Sequence, residues 1–169
     1  VELGETIKDF HNMEFRLQQL REVIAKDPAG RVAEPEVQAM LKEIDARAEY
    51  MCQAERMGRE GVLPKRVCHC DTKVNNMMFD QEDNVLCVID LDTIMPGYAI
   101  NDFGDSIRFG ATTAAEDEAD LSKVNFDINL FELYTKGFIE GAKGGLTEGE
   151  LDLLAEAAIM MTFECGMRF

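Results

Sequence analysis

Residues 65–96 read KRVCHCDTKVNNMMFDQEDNVLCVIDLDTIMP, and the rest of the predicted fold is arranged around this stretch. It holds two apolar, β-branched runs, a short one around Val67 and a longer one from Val85 to Ile89. Such runs predict strands, and the polar segment between them predicts a hairpin turn. The first run leads to Asp71 and the second to Asp90. We therefore expect a buried hairpin whose ends bring two acidic loops together.

The first loop follows the pattern His69-x-Asp71-x-x-x-x-Asn76, and Asp90 comes 14 residues after Asn76. A hydroxyl that attacks a γ-phosphate needs a carboxylate to orient it and accept its proton, and Mg²⁺ needs hard oxygen ligands. Asp71 suits the first requirement, whereas Asn76 and Asp90 suit the second. Lys73 lies two residues beyond Asp71, where its charge can balance a transferring phosphoryl group. The pattern is therefore typical of a phosphoryl-transfer site.

A second candidate metal motif occurs at residues 102–104, which spell the Asp-Phe-Gly triplet of protein kinases. Its context differs from that of Asp90, because Asp90 ends an apolar strand whereas Asp102 follows only a turn-like Pro-Gly pair and a polar residue. We therefore assign the metal to Asp90. Asp102 is interpreted as a structural acid that begins a helix or braces the catalytic loop.

Three segments carry a resemblance to a known family: HCDTKVNN at 69–76, VIDLDTIMPG at 88–97 and NDFGDSIR at 101–108. Together they resemble the aminoglycoside phosphotransferase and choline kinase superfamily, and within it the N-acetylhexosamine 1-kinases. The resemblance extends to residues 6–11 and 164–168. It implies a protein-kinase-like fold, the use of ATP with Mg²⁺, and phosphorylation of a sugar at its anomeric hydroxyl.

The resemblance also implies roles for single positions. It makes Asp71 the catalytic base and assigns magnesium to Asn76 and Asp90. It makes Asp102 the aspartate that braces the loop. Members of the superfamily often have Gly between the His and the Asp, whereas this chain has Cys70, another small residue.

Four further residues are interpreted as follows. His69 is assigned to structural support of the loop, and His11, on the first predicted helix, is assigned no chemistry. In the resembled sugar kinases the region of Phe109 borders the acceptor pocket, although Phe109 fits packing in the core equally well. Arg168 lies near the end of an apolar helix, and a buried cation needs an anion, either Glu164 or a substrate phosphate. The resemblance favours a substrate role for Arg168.

The remaining chain is mostly helical by its apolar periodicity, which predicts helices over residues 3–26, 35–57, 101–110, 127–140 and 151–169. Thr147 and Glu150 form a capping box that opens the last of them. The predicted fold class is therefore α+β, mostly helical. We expect the C-terminal lobe of a protein-kinase-like fold, with a small β-hairpin that carries the catalytic and metal loops.

The sequence contains no glycine-rich phosphate loop after a strand, no Val-Ala-x-Lys-like strand and no initiator Met. It ends at Phe169 within an apolar helical pattern that lacks a capping glycine. We therefore expect residues 1–169 to be the C-terminal lobe of a larger kinase, with the N-terminal ATP-clamping lobe absent and the C-terminus truncated. On this hypothesis the chain alone is inactive.

Composition narrows the expected partners and location. The sequence has 17 Lys and Arg residues against 33 Asp and Glu, a net charge of −16. Such a surface repels nucleic-acid phosphates and anionic membranes, so neither is expected as a partner. The five cysteines lack the spacing of a disulfide scaffold, which indicates a reducing compartment and a cytoplasmic location.

The sequence thus predicts an ATP- and Mg²⁺-dependent phosphotransferase whose partners are a small sugar substrate, ATP and the missing N-terminal lobe. Two alternatives stay open. One is a kinase for choline, an aminoglycoside or homoserine, of which the cationic acceptors suit an acidic pocket. The other is a non-catalytic binding module that keeps the fold, although the intact base and metal ligands argue against it.

Overall fold

The computed structural model describes residues 3–115 and 118–168, and the predicted truncation at Phe169 lies outside the described residues. The helices are α1 Met13–Lys26, α2 Pro35–Met51, α3 Gln53–Arg59, α4 Ala99–Gly110, α5 Ile128–Gly141, α6 Glu148–Asp152 and α7 Leu154–Arg168. The strands are β1 Arg66–Cys68, β2 Met77–Phe79, β3 Val85–Val88 and β4 Met95–Gly97. The chain is therefore mostly helical with small antiparallel sheets, as expected for an α+β fold.

Two antiparallel pairs of strands make up the sheets in the described part of the chain. β2 pairs with β3 so that Met77 lies opposite Val88, and β1 pairs with β4 so that Arg66 lies opposite Gly97. The predicted partnership of the two apolar runs was therefore wrong. Strand β1 pairs with β4, a segment that was expected to be a turn. It does not pair with β3, because the residues between the two runs form a further strand, β2, which pairs with β3 instead.

The hairpin β2–β3 is exposed rather than buried. Leu86 has 62% of its surface exposed and Val85 has 58%. The prediction of a buried strand was wrong for a simple reason. An apolar run indicates a strand that is suited to burial, but it does not show which residues would cover that strand. In the described part of the chain, all four residues of β3 are open to solvent.

The core lies between α4 and α7, with α1, α2 and α5 packed beside them. Phe103 and Ile100 on α4 are completely buried. Gly104 meets α7 so closely that a Cβ placed there would lie 2.3 Å from the carbonyl oxygen of Ala157. The backbones of the two helices therefore approach directly, which only a glycine permits at this position.

The first two helices differ from the boundaries that the periodicity predicted. The first helix begins at Met13 instead of near residue 3, because Asn12 is its N-cap and accepts a hydrogen bond from the amide of Phe15. The predicted second helix is divided at Cys52 into α2 and α3.

The predicted capping box is confirmed, but it opens the separate short helix α6, and the last helix begins only at Leu154. The Thr147 side chain accepts from the Glu150 amide, and the Glu150 carboxylate accepts from the Thr147 amide, at the start of α6. None of the helices described is long and apolar enough to cross a bilayer.

Candidate functional site

The loop between β1 and β2 borders a cleft of about 720 Å³. From this loop the cleft receives Asp71, Lys73 and Asn76. The other walls come from the hairpin and from α5, and they include Val85, Val88, Leu133, Tyr134 and Phe138. The cleft therefore combines one polar rim with largely apolar walls, which is the usual composition of a small-molecule site.

Asp71 is the centre of the polar rim. The side-chain amide of Asn76 donates to the Asp71 Oδ2 atom at 3.0 Å and to the Asp71 carbonyl at 2.8 Å. The Lys73 Nζ atom lies 3.4 Å from the same Oδ2 atom. Because its nitrogen is committed to Asp71, Asn76 presents its amide oxygen as the atom that can meet a cation.

Helix α4 fixes the loop through two carboxylates. Asp102 accepts the amide hydrogens of His69 and Cys70, each at 2.8 Å, and Asp105 accepts that of Thr72 at 2.8 Å. Burial raises the pKa of Asp102 above its ordinary value, even though both amide bonds act to lower it. Asp102 thus lies in the first turn of the helix with its carboxylate beneath the loop.

Sequence reasoning missed the part played by Asp105. The available signal was its spacing of three residues from Asp102, which places both carboxylates on the same face of a helix.

Cys70 has a left-handed backbone, with φ of 65°. For a residue with a Cβ this conformation costs about 1–2 kcal/mol, whereas glycine adopts it freely. Having Cys70 in place of the Gly of the resembled superfamily therefore matters more for backbone strain than for side-chain volume. The Cys70 carbonyl lies 2.9 Å from the Nε2 atom of His11, a residue for which the sequence had suggested no role.

Asp90 lies beside the loop, at the end of the hairpin. The amide of Ile89, its neighbour, donates to the carbonyl of Asn76 at 2.9 Å, and the carbonyl of Ile89 accepts from the His69 ring at 3.0 Å. Asp90 is exposed rather than turned into the interior, although it is not among the residues that line the cleft. Its backbone is therefore held next to Asn76.

The donor atoms at this point suit magnesium, since an amide oxygen and a carboxylate are both hard oxygen ligands. Within the described residues there is no cluster of three His, Cys, Asp or Glu side chains arranged to hold a metal. Because Asn is not one of these four residue types, the absence of such a cluster does not test the predicted magnesium pair of Asn76 and Asp90. That pair stays a prediction.

The two predicted substrate contacts lie outside this cleft. Phe109 is half-buried with the Arg108 guanidinium 4.0 Å from its ring centre. Arg168 lies 3.4 Å from Glu164 and 5.0 Å from the centre of the Phe10 ring. Of the two anions considered for Arg168, the structure therefore places Glu164 beside it. Substrate roles for both residues stay predictions.

In the described residues, a mostly helical fold with two small sheets and a loop that joins Asp71 to Asn76 and Lys73 are consistent with a phosphotransferase of the kinase-like class. The model of the phosphotransferase enzyme family matches residues 1–133, most of the 169 residues. The chain therefore belongs to the phosphotransferase enzyme family. The predicted resemblance to the aminoglycoside phosphotransferase and choline kinase superfamily is confirmed at that level.

Proposed function

We propose that this chain carries the catalytic loop of a kinase that transfers the γ-phosphoryl group of ATP to a sugar hydroxyl, the anomeric hydroxyl of an N-acetylhexosamine. The observation that carries the proposal is the arrangement around Asp71, where an amide and an ammonium group converge on one carboxylate oxygen at the edge of a cleft.

In this mechanism Asp71 orients the acceptor hydroxyl and takes its proton. Asn76 and Lys73 both contact Oδ2, while Oδ1 has no hydrogen-bond partner among the described residues. Oδ1 is then the atom that meets the hydroxyl. Lys73 would offset charge on the phosphoryl group during transfer, because its ammonium group lies 3.4 Å from the carboxylate that orients the attacking hydroxyl.

Asn76 and Asp90 would hold the magnesium ion, which neutralises phosphate charge when it is bound. Support comes from the hydrogen bond between the backbones of Ile89 and Asn76, which keeps the two ligand-bearing segments together.

A sugar acceptor is supported by the wall that α5 contributes to the same cleft as Asp71. Tyr134 and Phe138 supply aromatic surface there, against which the apolar face of a sugar ring can pack. Burial raises the pKa of Tyr134 above its ordinary value, so its hydroxyl stays protonated and can donate a hydrogen bond.

We propose that a separate N-terminal lobe supplies the nucleotide contacts and covers the exposed hairpin. Support comes from the apolar surface of β3, which a folded protein ordinarily covers.

The five free cysteines fit a cytoplasmic location for the complete protein. The proposal of a separate lobe can be tested directly. The test is calorimetry of the 169-residue chain with ATP and Mg²⁺, for which we expect weak binding. Tight, magnesium-dependent binding would contradict the proposal of a separate lobe.

The catalytic assignment is tested in the complete protein by Asp71→Asn, with Asp45→Asn on the exposed face of α2 as the matched control. We expect Asp71→Asn to lower kcat by about 10²–10⁴-fold, the contribution typical of a general base, with the KM for ATP unchanged. The control should retain full turnover. Near-normal turnover of Asp71→Asn would overturn the assignment.

The acceptor is identified by assaying the complete protein with N-acetylglucosamine, N-acetylgalactosamine, choline and an aminoglycoside. We expect the two sugars to be the best substrates. A preference for choline or the aminoglycoside would replace the sugar in the proposal. No transfer to any acceptor, together with no NMR response of Asn76 and Asp90 to Mg²⁺ and nucleotide, would favour a non-catalytic binding module.

A further inference from the structure

His11 joins the catalytic loop to α7. It lies one residue before the N-cap of α1, and its side chain is only 10% exposed. The Nδ1 atom lies 3.1 and 3.2 Å from the two carboxylate oxygens of Glu164, and the Nε2 atom lies 2.9 Å from the carbonyl oxygen of Cys70. Both ring nitrogens therefore face oxygen atoms at hydrogen-bond distance.

These contacts require one more proton than a neutral imidazole carries. A carbonyl oxygen only accepts, so Nε2 must donate to Cys70, and a carboxylate accepts as well, so a proton must also lie between Nδ1 and Glu164. Burial by itself lowers the pKa of His11, but the hydrogen bond and the charge of Glu164 outweigh burial. The pKa of His11 is consequently raised above its ordinary value of 6.5. We therefore expect the side chain to be an imidazolium that donates at both ends.

The Cys70 carbonyl belongs to the peptide group that leads directly into Asp71. The peptide group on the other side of Cys70 is held by Asp102 through the Cys70 amide. Both peptide groups around the left-handed residue are therefore fixed, one by a carboxylate and the other by His11. If the bond from His11 were lost, the peptide group before Asp71 could rotate and carry the catalytic carboxylate with it.

We propose that His11 is a positioning residue for Asp71, acting by donation from its protonated ring to the Cys70 carbonyl. The inference rests on the proposed function, because it takes Asp71 to be the base. The charges of Glu164 and Asp105 favour the protonated ring, and the charge of His11 in turn acts to lower the pKa of Asp102, which burial raises. The other charged groups around the ring are Arg16 and Arg168, which lie 3.9 and 3.4 Å from Glu164, and Glu55, which lines the same pocket as His11.

A pair of amide substitutions separates the two contacts. His11→Gln places an amide nitrogen near the position of Nε2 and keeps the donor to Cys70, whereas His11→Asn places it near Nδ1 and keeps only the donor to Glu164. In the complete enzyme we expect His11→Gln to retain kcat within about threefold and His11→Asn to lower it by about 10–100-fold, the loss typical of a displaced catalytic group. The KM values for ATP and acceptor should stay within about twofold.

A purely structural role would instead change the melting temperatures of the two variants without separating their kcat values. The inference is therefore overturned if the kcat of His11→Gln does not exceed that of His11→Asn.

The pH dependence of kcat provides a second test of the inference. Because the pKa of His11 is raised, the imidazolium is present at low pH and is lost as pH rises through that raised value. The neutral ring keeps its one proton on the side of the charged Glu164, so the bond to Cys70 is the one that is lost. We expect kcat of the wild-type enzyme to fall across this range, and the fall to be missing in His11→Gln. A fall that persists in His11→Gln would contradict the inference.

Imidazole ¹⁵N NMR of the wild-type protein tests the proton count without any variant or turnover. We expect both nitrogens of His11 to be protonated in most molecules at pH 6, and a mainly neutral ring would overturn the inference. Full turnover of Asp71→Asn would defeat the proposed function instead, and it would leave the NMR result for His11 unaffected.

Discussion

Replacing Gly104 by Ala is expected to destabilise the whole protein, because Gly104 lies where α4 and α7 touch. A Cβ at this position would lie 2.3 Å from the Ala157 carbonyl oxygen, 2.6 Å from the Ala157 carbonyl carbon and 2.7 Å from the Met161 Cγ atom. The Met161 side chain can rotate away. The carbonyl group of Ala157 is backbone, so relief there requires one helix to move.

The expected loss follows from two opposed terms. Alanine is favoured over glycine in a helix interior by about 1 kcal/mol. Overpacking a core costs about 1–3 kcal/mol and sometimes more. The 2.6 Å approach to the Ala157 carbonyl carbon is roughly 1 Å shorter than a favourable carbon–carbon separation. Because the clash is with backbone, we place the overpacking cost at about 3 kcal/mol, the upper end of that range, so Gly104→Ala should lower the free energy of unfolding by about 2 kcal/mol. For a chain of this size the melting temperature should fall by about 4–8 °C.

Thermal and urea unfolding followed by circular dichroism measure this loss. Gly137 in α5 is the matched control, since a Cβ there would meet no atom within 4 Å. Gly137→Ala should therefore leave stability unchanged or raise it by up to about 1 kcal/mol. If Gly104→Ala proved as stable as the wild type while Gly137→Ala behaved as expected, the direct backbone contact between α4 and α7 would be refuted.

Two further predictions concern a buried carboxylate and the thiols. Arg66→Met removes the guanidinium that binds Glu150 at 2.6 and 2.7 Å, so urea unfolding at pH 7 should show a loss of about 2 kcal/mol, the scale of a hydrogen bond to a charged group. Burial by itself raises the pKa of Glu150, but the bonds from Arg66 and Thr147 outweigh it, and the net pKa is lowered. The contribution is therefore present above the ordinary value of 4.5 and is lost as pH falls through the lowered pKa, so the variant and the wild type should converge in acid. A difference that persisted in acid would contradict this account. In thiol labelling at pH 8, exposed Cys87 should react first, whereas buried Cys70, whose pKa burial raises to about 12, should resist until the protein unfolds. Equal labelling rates would contradict that assignment.

The features that could be predicted from sequence depend on neighbouring residues. The capping box of Thr147 and Glu150 is complete within four residues, and Pro35 begins α2 as a first-turn proline should. The spacing of Asp71, Lys73 and Asn76 was equally informative, since these side chains meet within a single loop. Local sequence was sufficient for these features because local contacts form them.

The features that sequence missed depend on contacts between distant segments. The pairing of β1 with β4 joins residues about thirty positions apart, and the periodicity of either strand contains no information about its partner. His11 was assigned to a helix face, whereas the cap at Asn12 leaves it in the preceding turn, where it contacts residues 59 and 153 positions away. A single histidine carries no sequence signal for such contacts.

The bonds that hold the loop before Asp71 also bear on the order of folding. The Asp102 contacts with His69 and Cys70 close chain segments of 33 and 32 residues, the His11 contact with Cys70 closes 59, and the His11 contact with Glu164 closes 153. Closing such segments costs entropy that is recovered only when the distant partners have docked. The arranged loop should consequently be among the last parts of the molecule to form, so a partly folded chain would contain the residues of the site without their geometry.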